Sequence, residues 1–142
     1  TEPVAYTQRA LGIRRALVVY GADGMDELST TGVNKVSRLD EDGVVSTFFL
    51  DPTDLGLPRA RLSDVAGGTP EVNVRITKDV LAGKRGAPRD IVVLNAAATL
   101  VLGKMADNFR EGVSQAEESI DSGAAARKLQ ELIEFTQWVK NA

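Results

Sequence analysis

Apolar and polar positions follow two rhythms along this chain. The run Leu17-Val18-Val19-Tyr20 is continuous and stops at Gly21, the pattern of a short strand buried on both faces, as in a parallel sheet. Strand-like runs at 34–40 and 44–50 flank Glu41-Asp42-Gly43. An Asp-Gly between β-branched and aromatic stretches predicts an antiparallel hairpin. Phe48, Phe49 and Leu50 are expected to anchor its second strand in the core. Elsewhere the rhythm is helical. Apolar positions in 2–12 predict the end of an amphipathic helix, with Gly12 as its stop. Asp51 and Pro52 suit a cap and first position, and 55–66 reads as an irregular connection. Thr69-Pro70 opens a helix carrying Val72, Ile76 and Val80 at intervals of four, closed by Gly83. Leu94, Ala98, Val101 and Met105 predict a long, largely buried helix from about Asp90, with Asn95 a satisfied core amide. Asn108 and Glu111 form a capping pattern for a helix bearing Val113, Ala116 and Ile120, ended by Gly123. A last helix from Ala124 is expected to face Leu129, Leu132, Ile133, Thr136 and Val139 to the core, with Trp138 packing nearby.

The first helix leading into the strand at 17–20 is the αβ step of an α/β unit, and 142 residues make one ordinary domain long enough to bury a core. Composition narrows the chemistry. The chain has no cysteine, so neither a disulfide framework nor a thiolate metal site is available. With no histidine either, a zinc site of the usual nitrogen and sulfur type is excluded, and any metal must take oxygen ligands, as Mg2+, Mn2+ or Ca2+ do. No run is long enough to span a bilayer, and Thr1-Glu2-Pro3-Val4 lacks the basic and apolar regions of a signal peptide. A formal net charge of −3 argues against nucleic-acid binding, which normally needs a basic face. Arg59/Arg61 and Lys84/Arg85/Arg89 are the only basic concentrations and are expected to be solvated loops, as are Arg14 and Arg15 ahead of the strand.

The stretch after Tyr20 is where chemistry concentrates. It offers three carboxylates (Asp23, Asp26, Glu27) and the hydroxyls of Ser29, Thr30 and Thr31. Ligands of open α/β sheets sit at such strand ends. The pattern is that of a solvated acidic turn or of a cation site. Adjacent carboxylates on an extended strand point to opposite sides, so Asp26 and Glu27 can meet one ion only if the backbone turns. Gly24 permits that.

The segment ALVVYGADGMDELSTTG at 16–32 resembles the corresponding stretch of the anthranilate phosphoribosyltransferases: a valine-rich strand, a glycine, then DG-x-DE and a serine/threonine run. The likeness continues at 51–68, 80–100 and 119–129, in family order over essentially the whole chain. It implies the C-terminal part of the phosphoribosyltransferase/nucleoside-phosphorylase-like catalytic domain: a mixed sheet with an antiparallel hairpin, packed by helices, as one truncated domain over 1–142. The family's N-terminal helical domain, its glycine-rich phosphate loop and its anthranilate-holding segments have no counterpart here. The resemblance also implies a cytoplasmic enzyme of tryptophan biosynthesis. It transfers a phosphoribosyl group from phosphoribosyl pyrophosphate to anthranilate, releasing pyrophosphate, with Mg2+ as cofactor. Asp26 and Glu27 match the family's metal-binding pair. No catalytic or substrate-binding residue carries over, and Tyr20 stands where the family commonly has histidine. The parent is expected to be a homodimer assembled through the absent helical domain, whereas this chain alone is expected to be inactive and open to self-association. The runner-up is a non-catalytic, nucleic-acid-binding paralogue of the same fold. Pyrimidine nucleoside phosphorylases and a purely structural module rank lower.

Overall fold

At the Glu41-Asp42-Gly43 turn, the Asp40 amide donates to the Val44 carbonyl (3.0 Å) and Gly43, at φ +80°, donates to the Asp40 carbonyl (2.9 Å). Around this turn β2 (Asn34–Leu39) and β3 (Val45–Leu50) pair antiparallel, as expected. The computed structural model describes residues 1–141. β1 (Ala16–Tyr20) also pairs antiparallel, with β2, and the sheet order is β1-β2-β3. The expectation of a parallel-type strand in a mixed sheet is therefore corrected: this sheet is antiparallel throughout. Residues 21–33 hold only a short 3-10 turn at Ala22–Gly24, with none of the crossover helix that a parallel return requires. β1 is half-buried rather than enclosed.

The register sorts the strands into two faces. Val19, Val36 and Phe48 stand opposite one another and face a core shared with α3 (Pro70–Leu81), α4 (Ala87–Leu102) and α5 (Phe109–Asp121). Phe48 meets Phe109 edge-on, ring centroids 6.1 Å apart. The other face is covered by α1 (Glu2–Ala10), whose Ala5 is fully buried. Thr1 accepts a hydrogen bond from Ser37 (2.7 Å), and Glu2 pairs with Lys35 (3.0 Å). Period-two alternation puts Phe49 on this second face, 72% exposed, so it does not anchor the core as Phe48 and Leu50 do.

The helix signals held at Thr69, whose side chain caps α3, and at Asn108, whose Oδ1 accepts from the Glu111 amide (3.0 Å) while Glu111 reaches back to the Asp107 amide (2.8 Å). α4 begins at Ala87 rather than at Asp90, with Pro88 in the first turn, where a missing N–H breaks no helix bond. A short helix, α2 (Leu62–Val65), interrupts the connection at 55–66. α4 and α5 approach closely: a Cβ on Gly112 would lie 2.8 Å from the Ala97 carbonyl oxygen.

Besides Phe49, three further expectations about side chains fail. Arg89 is 1% exposed, its guanidinium held by Asp121 (Nη2 to Oδ2, 3.0 Å) and by the Gly83 carbonyl (3.3 Å). Folding sets the start of α4 beside the end of α5, where Arg85 also pairs with Glu117 (2.9 Å) and Asp121 (3.2 Å). Half-buried Arg15 donates to the carbonyls of Val101 and Leu102, neutralising the negative end of α4. On α6 (Ala124–Asn141), Leu129 is half-buried, yet Leu132, Ile133, Thr136, Trp138 and Val139 are exposed. Periodicity says which residues share a face, not what that face meets.

Candidate functional site

β1 delivers the chain into a loop that doubles back over Gly21. The Gly21 amide donates to the Met25 carbonyl (2.9 Å) and Gly24 donates to Gly21 (3.3 Å). Asp23 (φ +61°) and Gly24 (φ +80°) both take the left-handed conformation that makes the reversal. A Cβ on Gly21 would stand 2.3 Å from the Glu27 carbonyl oxygen, so only glycine fits beneath the returning loop. The exposed Tyr20 ring lies alongside, its hydroxyl 3.6 Å from the Cβ position of Gly24.

Two asparagines hold the far end of the loop. Asn95, on α4, accepts from the Leu28 amide (3.0 Å) and donates to the Leu28 carbonyl (2.8 Å) and to its own helix at Ile91 (2.9 Å). Asn34, at the head of β2, accepts from the Ser29 amide (2.7 Å) and donates to the carbonyls of Ser29 (2.9 Å) and Leu50 (3.2 Å). Leu28, Ser29 and Thr30 are completely buried as a result. The expected core amide at Asn95 is thus present, and it also clamps the loop. Asn34 was not singled out from sequence. Its only signal is an amide side chain between a hydroxyl-rich turn and a strand.

Between the Gly21 cradle and the Leu28 clamp, Asp26 and Glu27 are exposed, and among the described residues neither makes a side-chain hydrogen bond or ion pair. Asp23 is exposed as well. Ser29 and Thr31 hydrogen-bond each other through their hydroxyls (2.7 Å), while the buried Thr30 hydroxyl has no partner among the described residues. Among the described residues no group of three or more carboxylates forms a ready metal cage. Two unpaired carboxylates on an anchored loop nevertheless suit Mg2+, which ordinarily takes one or two protein carboxylates beside waters and substrate phosphates.

A basic face for nucleic acid is not formed by the basic groups singled out from sequence. Arg59 pairs with Asp51 (2.6 Å), Arg61 with Asp64 (2.9 Å), Lys84 with Asp79 (2.8 Å), and Arg85 and Arg89 with the acidic end of α5. The paralogue reading is left without support. Among the described residues no helix is long and apolar enough to cross a membrane.

Comparison with known proteins places this geometry. Residues 1–126 match the model of the glycosyl transferase family, a/b domain. The anthranilate phosphoribosyltransferase of Moorella thermoacetica is 47% identical over 137 residues, 96% of this chain and 40% of that protein. The crystal structure of anthranilate phosphoribosyltransferase from Thermus thermophilus superposes with a TM-score of 0.86 at 34% identity, over 96% of this chain and 40% of that one. The enzyme from Saccharomyces cerevisiae in complex with PRPP and Mg gives a TM-score of 0.81 at 34% identity, over 93% and 38% of the two chains. This chain therefore spans about 40% of the length of the relatives it matches.

Proposed function

We propose, from the premise that this chain belongs to the glycosyl transferase family, a/b domain, that it forms the metal-holding part of an anthranilate phosphoribosyltransferase. The observation that carries the reading is the Asp26–Glu27 pair: two exposed, unpaired carboxylates on a loop fixed at both ends. In the transfer, the bond from the ribose C1 carbon to pyrophosphate breaks, a bond from C1 to the anthranilate amino nitrogen forms, and that nitrogen gives up a proton. Bound Mg2+ would neutralise charge on the departing phosphate oxygens. The work of this chain is to hold two carboxylates where phosphate oxygens can share the ion. Gly21 lets the loop turn, and Asn34 and Asn95 keep it from moving away from the sheet.

The reading takes residues 1–142 as one α/β unit of the catalytic domain. The phosphate loop and the anthranilate-holding groups are assigned to the further length that the relatives possess. It also places the longer enzyme in the cytoplasm, as a homodimer acting in tryptophan biosynthesis. The test follows anthranilate fluorescence with phosphoribosyl pyrophosphate and Mg2+, for this chain and for the same chain extended to the length of its relatives. The extended chain is expected to consume anthranilate and the 142-residue chain is not. Silence of the extended chain would overturn the reading. Activity of the short chain would refute the assignment of phosphate and anthranilate binding to the additional length.

A further inference from the structure

β1 ends, β2 begins and β3 ends at the same end of the sheet, since Tyr20 stands opposite Lys35 and Asn34 opposite Leu50. The acidic loop, the serine/threonine turn behind it and the segment after β3 therefore emerge side by side. That last segment, 51–60, is tied down along its length. Asp51 Oδ1 accepts from the Thr53 amide (2.9 Å) and hydroxyl (2.6 Å), capping a 3-10 turn at Pro52–Leu55. Arg110 of α5 donates to the Asp54 carbonyl. The Leu57 amide donates to the Pro52 carbonyl (3.1 Å), and the Leu57 side chain is buried in the core. Past Leu57 the chain has less to hold it. Pro58 offers no N–H, and among the described residues two polar contacts secure 58–60. Arg59 Nη2 donates to Asp51 Oδ2 (2.6 Å), and the Ala60 amide donates to the Thr30 carbonyl (3.1 Å). Thr30 is completely buried and lies three residues after Glu27.

We propose that Arg59 is a positioning residue for the Asp26–Glu27 pair: its ion pair with Asp51 fixes residues 58–60, and the Ala60 amide in turn braces the acidic loop from behind at Thr30. The inference rests on the reading of Asp26 and Glu27 as metal ligands. Arg61, two residues further on, has a different part. It pairs with Asp64 inside its own short helix, α2, and that pair reaches no other element (2.9 Å). Charge and position also pull in opposite directions at Arg59. Removing a positive charge from the end of the sheet that carries the carboxylates would, by Coulomb attraction alone, strengthen their hold on a cation. Loosening the brace weakens that hold, because the two carboxylates then spend less time where one ion can meet both. The sign of the change therefore separates a positioning role from a purely electrostatic one.

The experiment compares the native chain with Arg59→Ala, Arg59→Lys and Arg61→Ala, titrating Mg2+ at low ionic strength, where surface charges are least screened, and following amide hydrogen exchange by NMR. Arg59→Ala is expected to raise the Mg2+ dissociation constant about threefold, the scale of an exposed ion pair. Exchange at the amides of Leu28, Ser29 and Ala60 should quicken by a similar factor, while the amides of α4 and α5 keep their native rates. A single guanidinium nitrogen makes the contact with Asp51, so Arg59→Lys should restore both quantities. Arg61→Ala should match the native chain. Arg59→Gln, which keeps most of the stem and loses the charge, takes the place of Arg59→Ala if circular dichroism shows that variant unfolded. Unchanged or tighter Mg2+ binding in Arg59→Ala, exchange that quickens evenly over the whole chain, or Arg59→Lys as loose as Arg59→Ala would each overturn the inference. A native chain with no Mg2+ response would refute the metal reading of Asp26 and Glu27 by itself. The exchange rates then decide the brace alone: quickening confined to Leu28, Ser29 and Ala60 upholds it, and native rates there overturn it.

Discussion

Gly21 and Asn95 carry more of the site than their size suggests. Adding one methyl group at Gly21 drives Cβ into the Glu27 carbonyl, which is backbone and cannot swing aside. Gly21→Ala is expected to destabilise by about 1–3 kcal/mol and to displace Asp26 and Glu27 together. Chemical denaturation and metal titration read the two effects. Asn95→Ala strips the Leu28 amide and carbonyl of their partner in a fully buried setting, at a cost of about 2 kcal/mol in the same denaturation experiment. The carboxylates themselves are dispensable to folding, being exposed and unpaired. Asp26→Asn with Glu27→Gln should leave stability within about 0.5 kcal/mol of the parent. It should also abolish the small stabilisation by Mg2+, about 0.4 kcal/mol when the ion equals its dissociation constant. Thermal melts with and without the ion decide this.

At the scale of elements, alternation makes a sharp contrast between neighbours. Phe48→Ala removes the edge-on contact with Phe109 and should cost roughly 2 kcal/mol, whereas Phe49→Ser, on the open end of the other face, should stay within about 0.5 kcal/mol. Where α4 meets α5, two aspartates respond to acid in opposite senses. The hydrogen bond from Arg89 holds the Asp121 carboxyl below its ordinary range. Its contribution is full above the unfolded value, about pH 3.9, and is lost as pH falls through the depressed folded value. Burial pushes Asp90 up, and Glu117 adds to the rise. The folded protein then binds the proton more readily than the unfolded chain, so ionised Asp90 is a cost that is present at neutral pH and absent in acid. Asp90→Asn should therefore raise stability at neutral pH, with the gain fading as pH falls through the raised folded value and gone below the ordinary aspartate range. Asp121→Asn should lower it at neutral pH, with the loss fading in strong acid. Urea midpoints measured against pH for both variants check the signs.

For the molecule as a whole, the core lies between one sheet face and α3, α4 and α5, while the far half of α6 stands clear of it. Residues 131–140 are exposed along their length, Trp138 included, so Leu132→Lys and Val139→Lys should leave the melting temperature nearly unchanged. Calorimetry would show otherwise if that helix face were buried within the chain. The same openness accounts for where sequence reading succeeded. The hairpin, the caps at Thr69 and Asn108, the stops at Gly83 and Gly123 and the acidic loop each depend on residues within a few positions of one another. Arg89 with Asp121, Arg15 with the end of α4, and Asn95 with Leu28 join positions 32 to 87 residues apart, and no local pattern announces such pairs.

The amino-acid sequence by itself determined the hairpin, the caps and stops of the main helices, the restriction to oxygen ligands and the candidacy of Asp26 and Glu27, because propensity, turn chemistry and residue inventory are local properties. Tertiary structure alone decided that β1 pairs antiparallel, that Phe49 and most of α6 face outward, that Arg89 is buried, and that Asn34 and Asn95 anchor the acidic loop. Each of these depends on what a face or a polar group meets across the fold, and that partner is fixed only when distant segments pack together.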